Sequence, residues 1–134
     1  MQLKLTFDEI NRLIQAKTGK ELPLMYGGPH TVRVSYPVPL MGPVGLDINV
    51  DHIENNDIYL SYGGGKAIEF MVRTAFKRFE GRPEAELLQL LDDNRLVLLL
   101  GKSPQMAQIF ERVDLQDIHF DERSVMIDFA PKGL

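Results

Sequence analysis

The sequence predicts an α+β fold, a curved, mainly antiparallel sheet of about five to six strands packed on a long amphipathic helix, with shorter flanking helices. Three observations carry this expectation. Val44, Leu46, Ile48 and Val50 alternate with Gly45, Asp47, Asn49 and Asp51, the period of a strand with one buried and one wet face. From Lys66 the period changes, and Ile68, Met71, Val72, Ala75, Phe76 and Phe79 fall on one helical stripe with Glu69, Arg73, Lys77 and Glu80 opposite. Short polar clusters join the strand-like segments, which argues for antiparallel pairing rather than a doubly wound parallel sheet.

In chain order, Leu3 and Leu5 alternate with polar neighbours and give a short first strand. Thr6-Phe7-Asp8-Glu9 is a capping box, in which the Thr6 hydroxyl accepts from the Glu9 amide and the Glu9 carboxylate reaches back. Leu5 and Ile10 fit the hydrophobic staple, Phe7, Ile10, Leu13 and Ile14 make the buried stripe, and Gly19 closes the helix. Lys20 to His30, with Pro23, Gly27, Gly28 and Pro29, reads as a loop, and Thr31 to Tyr36 as a strand. Pro37, Pro39 and Pro43 cannot support a central ladder, so Pro37 to Pro43 is an edge or exposed connection. Its apolar Val38, Leu40 and Met41 need a cover.

The cluster Glu54-Asn55-Asn56-Asp57 tolerates left-handed backbone, and Ile58, Leu60 and Tyr62 then resume the alternation as the second strand of a hairpin. Gly63-Gly64-Gly65 is the bend that returns the main helix to the sheet. Gly81-Arg82-Pro83 breaks the chain, and Pro83 suits the first turn of a short helix that buries Leu87, Leu88, Leu90 and Leu91. Asp92-Asp93-Asn94 ends that helix, and Arg95 to Leu100 is a fully buried strand. Ser103-Pro104 opens another helix with Met106, Ile109, Phe110 and Val113 inward. A final hairpin runs from Leu115 to Phe120, turns through Asp121-Glu122-Arg123-Ser124, and returns through Val125, Ile127 and Phe129.

A chain of 134 residues fits one domain, 1–134. Its net charge of −4 speaks against a general nucleic-acid binder. With no cysteine there is no disulfide, thiolate nucleophile or cysteine-ligated metal. No stretch reaches the ~20 apolar residues of a membrane span, and the N-terminus does not read as a signal peptide. The expectation is a soluble cytoplasmic protein, or a periplasmic or other extracytoplasmic one if a signal peptide has been removed.

No catalytic signature is visible. Asp47-x-Asn49-x-Asp51 opens like a calcium loop, but His52 stands where its glycine belongs and Ile58 where its bidentate glutamate belongs. Gly65-Lys66 and Gly101-Lys102-Ser103 end like phosphate-binding loops, but Leu60 and Leu96 replace the leading glycine. The amides of Gly64, Gly65 and Lys66 could hold an anion at a helix start. His30, His52 and His119 show no ligand spacing. His119 lies between Asp117 and Asp121, and pairing of that strand beside Asp47 to Asp51 would bring carboxylates and an imidazole together on a metal; the simpler expectation is a wet strand face and no metal or cofactor. Ser61, Ser103 and Ser124 lack a recognisable base. Lys66, Arg73, Lys77, Arg78 and Arg82 make the main helix locally basic, as a solvated face or a contact for anionic groups.

Three stretches, Leu3 to Asn11, Asn56 to Leu60 and Val113 to Phe120, together with the helix from Lys66, resemble small single-domain bacterial members of the tubular lipid-binding (bactericidal permeability-increasing-like) superfamily. That resemblance implies an antiparallel sheet wrapped around a long helix with an apolar groove between them. The expectation that follows is a non-enzymatic binding domain holding a lipid or other apolar small molecule between sheet and main helix, lined by Leu40, Met41, Met71, Val72, Ala75 and Phe76. The alternative is a structural or protein-interaction module, a homodimer or partner interface formed through the Pro-rich loop.

Overall fold

The computed structural model describes residues 1–19, 21–38, 40, 42–63, 66–79, 81 and 86–132, with backbone alone at 17, 18, 36–38, 66, 67, 75, 78 and 79. The chain runs β1 (Gln2–Thr6), α1 (Phe7–Thr18), β2 (Leu24–Gly28), β3 (Thr31–Val38), β4 (Gly42–Glu54), β5 (Asp57–Tyr62) and α2 (Lys66–Phe79). It continues through β6 (Leu88–Leu90), β7 (Arg95–Leu98), a 3-10 turn (Leu100–Lys102), α3 (Ala107–Phe110), β8 (Val113–Phe120) and β9 (Ser124–Pro131). The strands form two antiparallel sheets, one ordered β1-β9-β8 and the other β2-β3-β4-β5-β7-β6.

The apolar faces of both sheets meet in one core. Ile58 of β5 lies with Leu115, Ile118 and Phe120 of β8 and Val125 of β9, closed off by Phe7 of α1 and Phe110 of α3. Leu24, Val32, Val50, Leu60 and Leu98 from the larger sheet, and Ile127 and Phe129 from the smaller, pack around them. This overturns the predicted fold class: the molecule is mostly β, and among the described residues no long helix supports a sheet. Helix α2 does form where the stripe places it, but none of its described side chains belongs to that core. Amphipathic spacing shows that a helix has an apolar side; it does not say what covers that side. Here the two sheets cover each other. Tyr62, at the end of β5, is the point where α2 comes close: burial raises its phenol pKa, and the charges of Arg73 and Glu69 also act on it.

Elements whose signals lie within their own segment form as expected. The Thr6–Glu9 capping box is present in both directions, and Gly19 ends α1 at φ 72°. Asn55 and Asn56 both take left-handed backbone, at φ 53° and 65°, and close the β4–β5 hairpin. The β8–β9 hairpin also forms.

Four further expectations are corrected. Residues Leu24–Gly28 are a strand paired with β3, not loop. The Pro-containing connection is instead hairpin ladder, with Pro37 opposite Pro43 and Val38 opposite Gly42; its tip places Leu40 at φ 71°. Among the described residues of the predicted leucine helix, Leu88–Leu90 is strand paired with β7, and Asp93 and Asn94, at φ 62° and 57°, turn that hairpin. Leucines on every side satisfy a strand as well as a helix, and the turn residues decide. Finally, α3 is a single turn, with Phe110 buried but Ile109 exposed, and Leu13 of α1 is exposed as well. The prediction that Pro83 starts a helix lies outside the described residues.

Two turns of the larger sheet bind the edge of the smaller one. The Phe120 amide donates to the Pro29 carbonyl at 2.8 Å, while the Val50 amide donates to the His30 carbonyl at 2.8 Å. At the other end of β8, the Leu115 amide donates to Asn56 Oδ1 at 2.7 Å.

Candidate metal centre

β8 does not keep one alternation. Leu115 faces the core opposite Phe129, yet Ile118 faces it opposite Ile127, because a bulge between Leu115 and Asp117 inserts one residue. A bulge re-aims the side chains beyond it. Here it puts Asp117 directly opposite Asp128 and carries His119 onto the same outward face. Like charges facing each other across a strand pair are destabilising unless something lies between them.

What lies between them is an imidazole. His119 Nδ1 is 3.4 Å from Asp117 Oδ2 and 3.5 Å from Asp128 Oδ2. That nitrogen is buried and has no hydrogen-bond partner. The three ligand atoms lie within 4.8 Å of one another. Around an ion bound at zinc-like distances, neighbouring tetrahedral donors are separated by roughly 3.3–3.5 Å, so the observed spacing suits a shared cation. The other oxygen of Asp128 accepts from Gln2 Nε2 at 2.8 Å, an outer contact that holds the carboxylate in place.

The sequence placed Asp117 and His119 together correctly, but β8 pairs with β9 rather than with β4, so the second carboxylate is Asp128. Asp121 is used elsewhere, accepting from the Arg123 amide at 2.8 Å and lying 3.7 Å from Lys4. Its carboxyl is held below the usual range chiefly by that amide. Asp128 carries no signal of its own in the sequence, because it falls between Ile127 and Phe129 in an ordinary alternation. The visible clue was the slip of the apolar period from Val113 and Leu115 to Ile118 and Phe120.

Asp47, Asn49 and Asp51 are a polar strand face. Arg33 donates to Asp47 at 2.8 Å, Thr31 to Asn49 at 2.6 Å and Ser61 to Asp51 at 3.0 Å. Of the residues predicted to line an apolar site, Leu40 is fully exposed, while Met71, Val72 and Phe76 are half-buried on α2. Met41 and the side chain of Ala75 lie outside the described residues, as do Gly64 and Gly65 of the proposed anion cradle. An open groove beside Met1, Ile109, Arg112 and Val113 involves none of the predicted set.

Comparison with known protein families, curated proteins and solved structures found no match. Among the described residues no helix is long and apolar enough to cross a membrane.

Proposed function

We propose that this domain binds a divalent transition-metal ion, with zinc the best match, through Asp117, His119 and Asp128. The observation that carries the reading is the buried, unpartnered His119 Nδ1 facing two carboxylates that oppose each other across the strand pair. Imidazole nitrogen with carboxylate oxygen suits zinc and its neighbours better than calcium, which takes six or more oxygens. Calorimetric titration of the full chain with zinc, calcium and magnesium tests the reading. The expected result is one zinc per chain, weakened by at least about tenfold in His119→Ala and Asp128→Asn, with calcium and magnesium far weaker. No zinc binding, or binding by both variants as tight as that of the wild type, overturns it.

A second reading rests on a different observation. Phe70 of α2 is 72% exposed, on the helix face opposite the stripe of Ile68, Met71, Val72 and Phe76, whose side chains are half-buried. The apolar-ligand expectation relied on a sheet packed on this helix; without that packing, the exposed Phe70 fits a protein partner better, including a second copy of this chain. Native mass spectrometry of the wild type and Phe70→Asp separates the outcomes: a dimer lost in the variant supports the reading, and a monomer in both removes self-association.

A further inference from the structure

We infer that His30 is a fourth ligand, so that the bound ion ties the two sheets together; this rests on the metal reading above and extends it. His30 lies on the turn between β2 and β3, in the larger sheet, whereas the other three ligands belong to the smaller one. Its Nε2 is 3.6 Å from Asp117 Oδ1, so Asp117 stands between two imidazoles, presenting one oxygen to each. The backbone of the turn is fixed from both sides. The Pro29 carbonyl accepts from Phe120 of β8 at 2.8 Å, and the His30 carbonyl accepts from Val50 of β4 at 2.8 Å. The His30 side chain itself is 54% exposed, with room to swing toward the carboxylates.

The fourth donor changes what the site is for. Three protein ligands leave a position open for water, the pattern of catalytic zinc, whereas four close the shell, the pattern of structural zinc. Two carboxylates and two neutral imidazoles around a dication carry no net charge, which suits a half-buried seam. Because the donors come from different sheets, the complete set exists only when the sheets are docked. The ion therefore stabilises the docked state by mass action.

The Phe120 amide is the reporter, since its hydrogen bond crosses the seam to Pro29. Zinc alone is added to the full chain, and affinity and amide exchange at Phe120 are measured for the wild type, His30→Ala and His30→Asn. Asn suits a turn, so a folding failure of the alanine variant does not remove the test. The expected result is that zinc slows Phe120 exchange in the wild type, while both variants bind about 10- to 100-fold more weakly and lose the slowing. Variants that bind zinc as tightly as the wild type, with Phe120 slowed equally, overturn the fourth ligand and leave the three-ligand site standing. A wild type that binds no zinc overturns both.

Discussion

The side chain of Asn56 holds β8 at two points: its Oδ1 accepts the Leu115 amide at 2.7 Å, and its Nδ2 donates to Asp114 at 3.2 Å. Asn56 also sits at φ 65°, a conformation that asparagine tolerates and alanine does not favour. The residue therefore does two separable things. Asn56→Gly keeps the turn but leaves the Leu115 amide without its partner at the start of the bulge, an expected loss of about 1–3 kcal/mol. Asn56→Ala adds the left-handed penalty of about 1–2 kcal/mol. Urea unfolding of both variants orders them wild type, Gly, Ala; equal stability of all three would show that the contact contributes nothing.

The location of the core gives a sharp contrast. Phe120 is buried, its ring 6.4 Å from that of Phe7, and it belongs to the cluster shared by both sheets. Truncation to alanine is expected to cost about 3–5 kcal/mol. Phe70→Ala, on the exposed side of α2, is expected to change stability by no more than about 0.5 kcal/mol. Comparable losses at the two positions would place α2 in the core after all.

This contrast also marks what the sequence could disclose. Helix α1 was legible because its capping box and terminal Gly19 lie within the segment they define. The β4–β5 hairpin was legible for the same reason, through Asn55 and Asn56. The partner of α2 was not, because covering an apolar stripe is a contest between distant segments, and the two sheets won it. Leu88 and Leu90 fit a helix and a strand alike, because leucines flank Gln89 on both sides; only Asp93-Asn94 distinguishes a hairpin from a helix end there. At the candidate site, Asp117 and His119 could be grouped from one strand, but Asp128 needed the bulged register, which no local spacing prints.

Acid titration isolates a surface pair. Arg33 grips Asp47 with both arms, Nε to Oδ1 at 2.8 Å and Nη2 to Oδ2 at 3.3 Å. The Arg33 hydrogen bond is the main reason the Asp47 carboxyl lies below its ordinary value, outweighing the opposing effect of desolvation. A depressed carboxylate adds stability above its unfolded value, about 3.9, and that contribution fades as pH falls through the folded value. Both side chains are substantially exposed, so the contribution is small and salt-sensitive. Carbon-detected NMR titration is expected to show the Asp47 midpoint rising in Arg33→Gln, with little change in melting temperature at neutral pH. An unchanged midpoint would show that the grip is absent in solution.

Gly101 connects the 3-10 turn to the same hairpin that Asn56 anchors. Its amide donates to Asp57 Oδ1 at 3.2 Å. A Cβ added there would stand 2.9 Å from the Asn55 carbonyl oxygen and 3.3 Å from Asp57 Oδ1. The Asp57 carboxylate can turn away, but the Asn55 carbonyl is backbone in a turn pinned to β8 through Asn56. Gly101→Ala is therefore expected to cost about 1–3 kcal/mol, the range for forcing extra volume into a packed site. If the clash is the cause, freeing the turn must relieve it. The double variant Gly101→Ala with Asn56→Gly is then expected to lose measurably less than the sum of the two single losses, a coupling of about 0.5 kcal/mol or more. Strict additivity in urea unfolding would mean that the pinned turn is not what resists the added methyl.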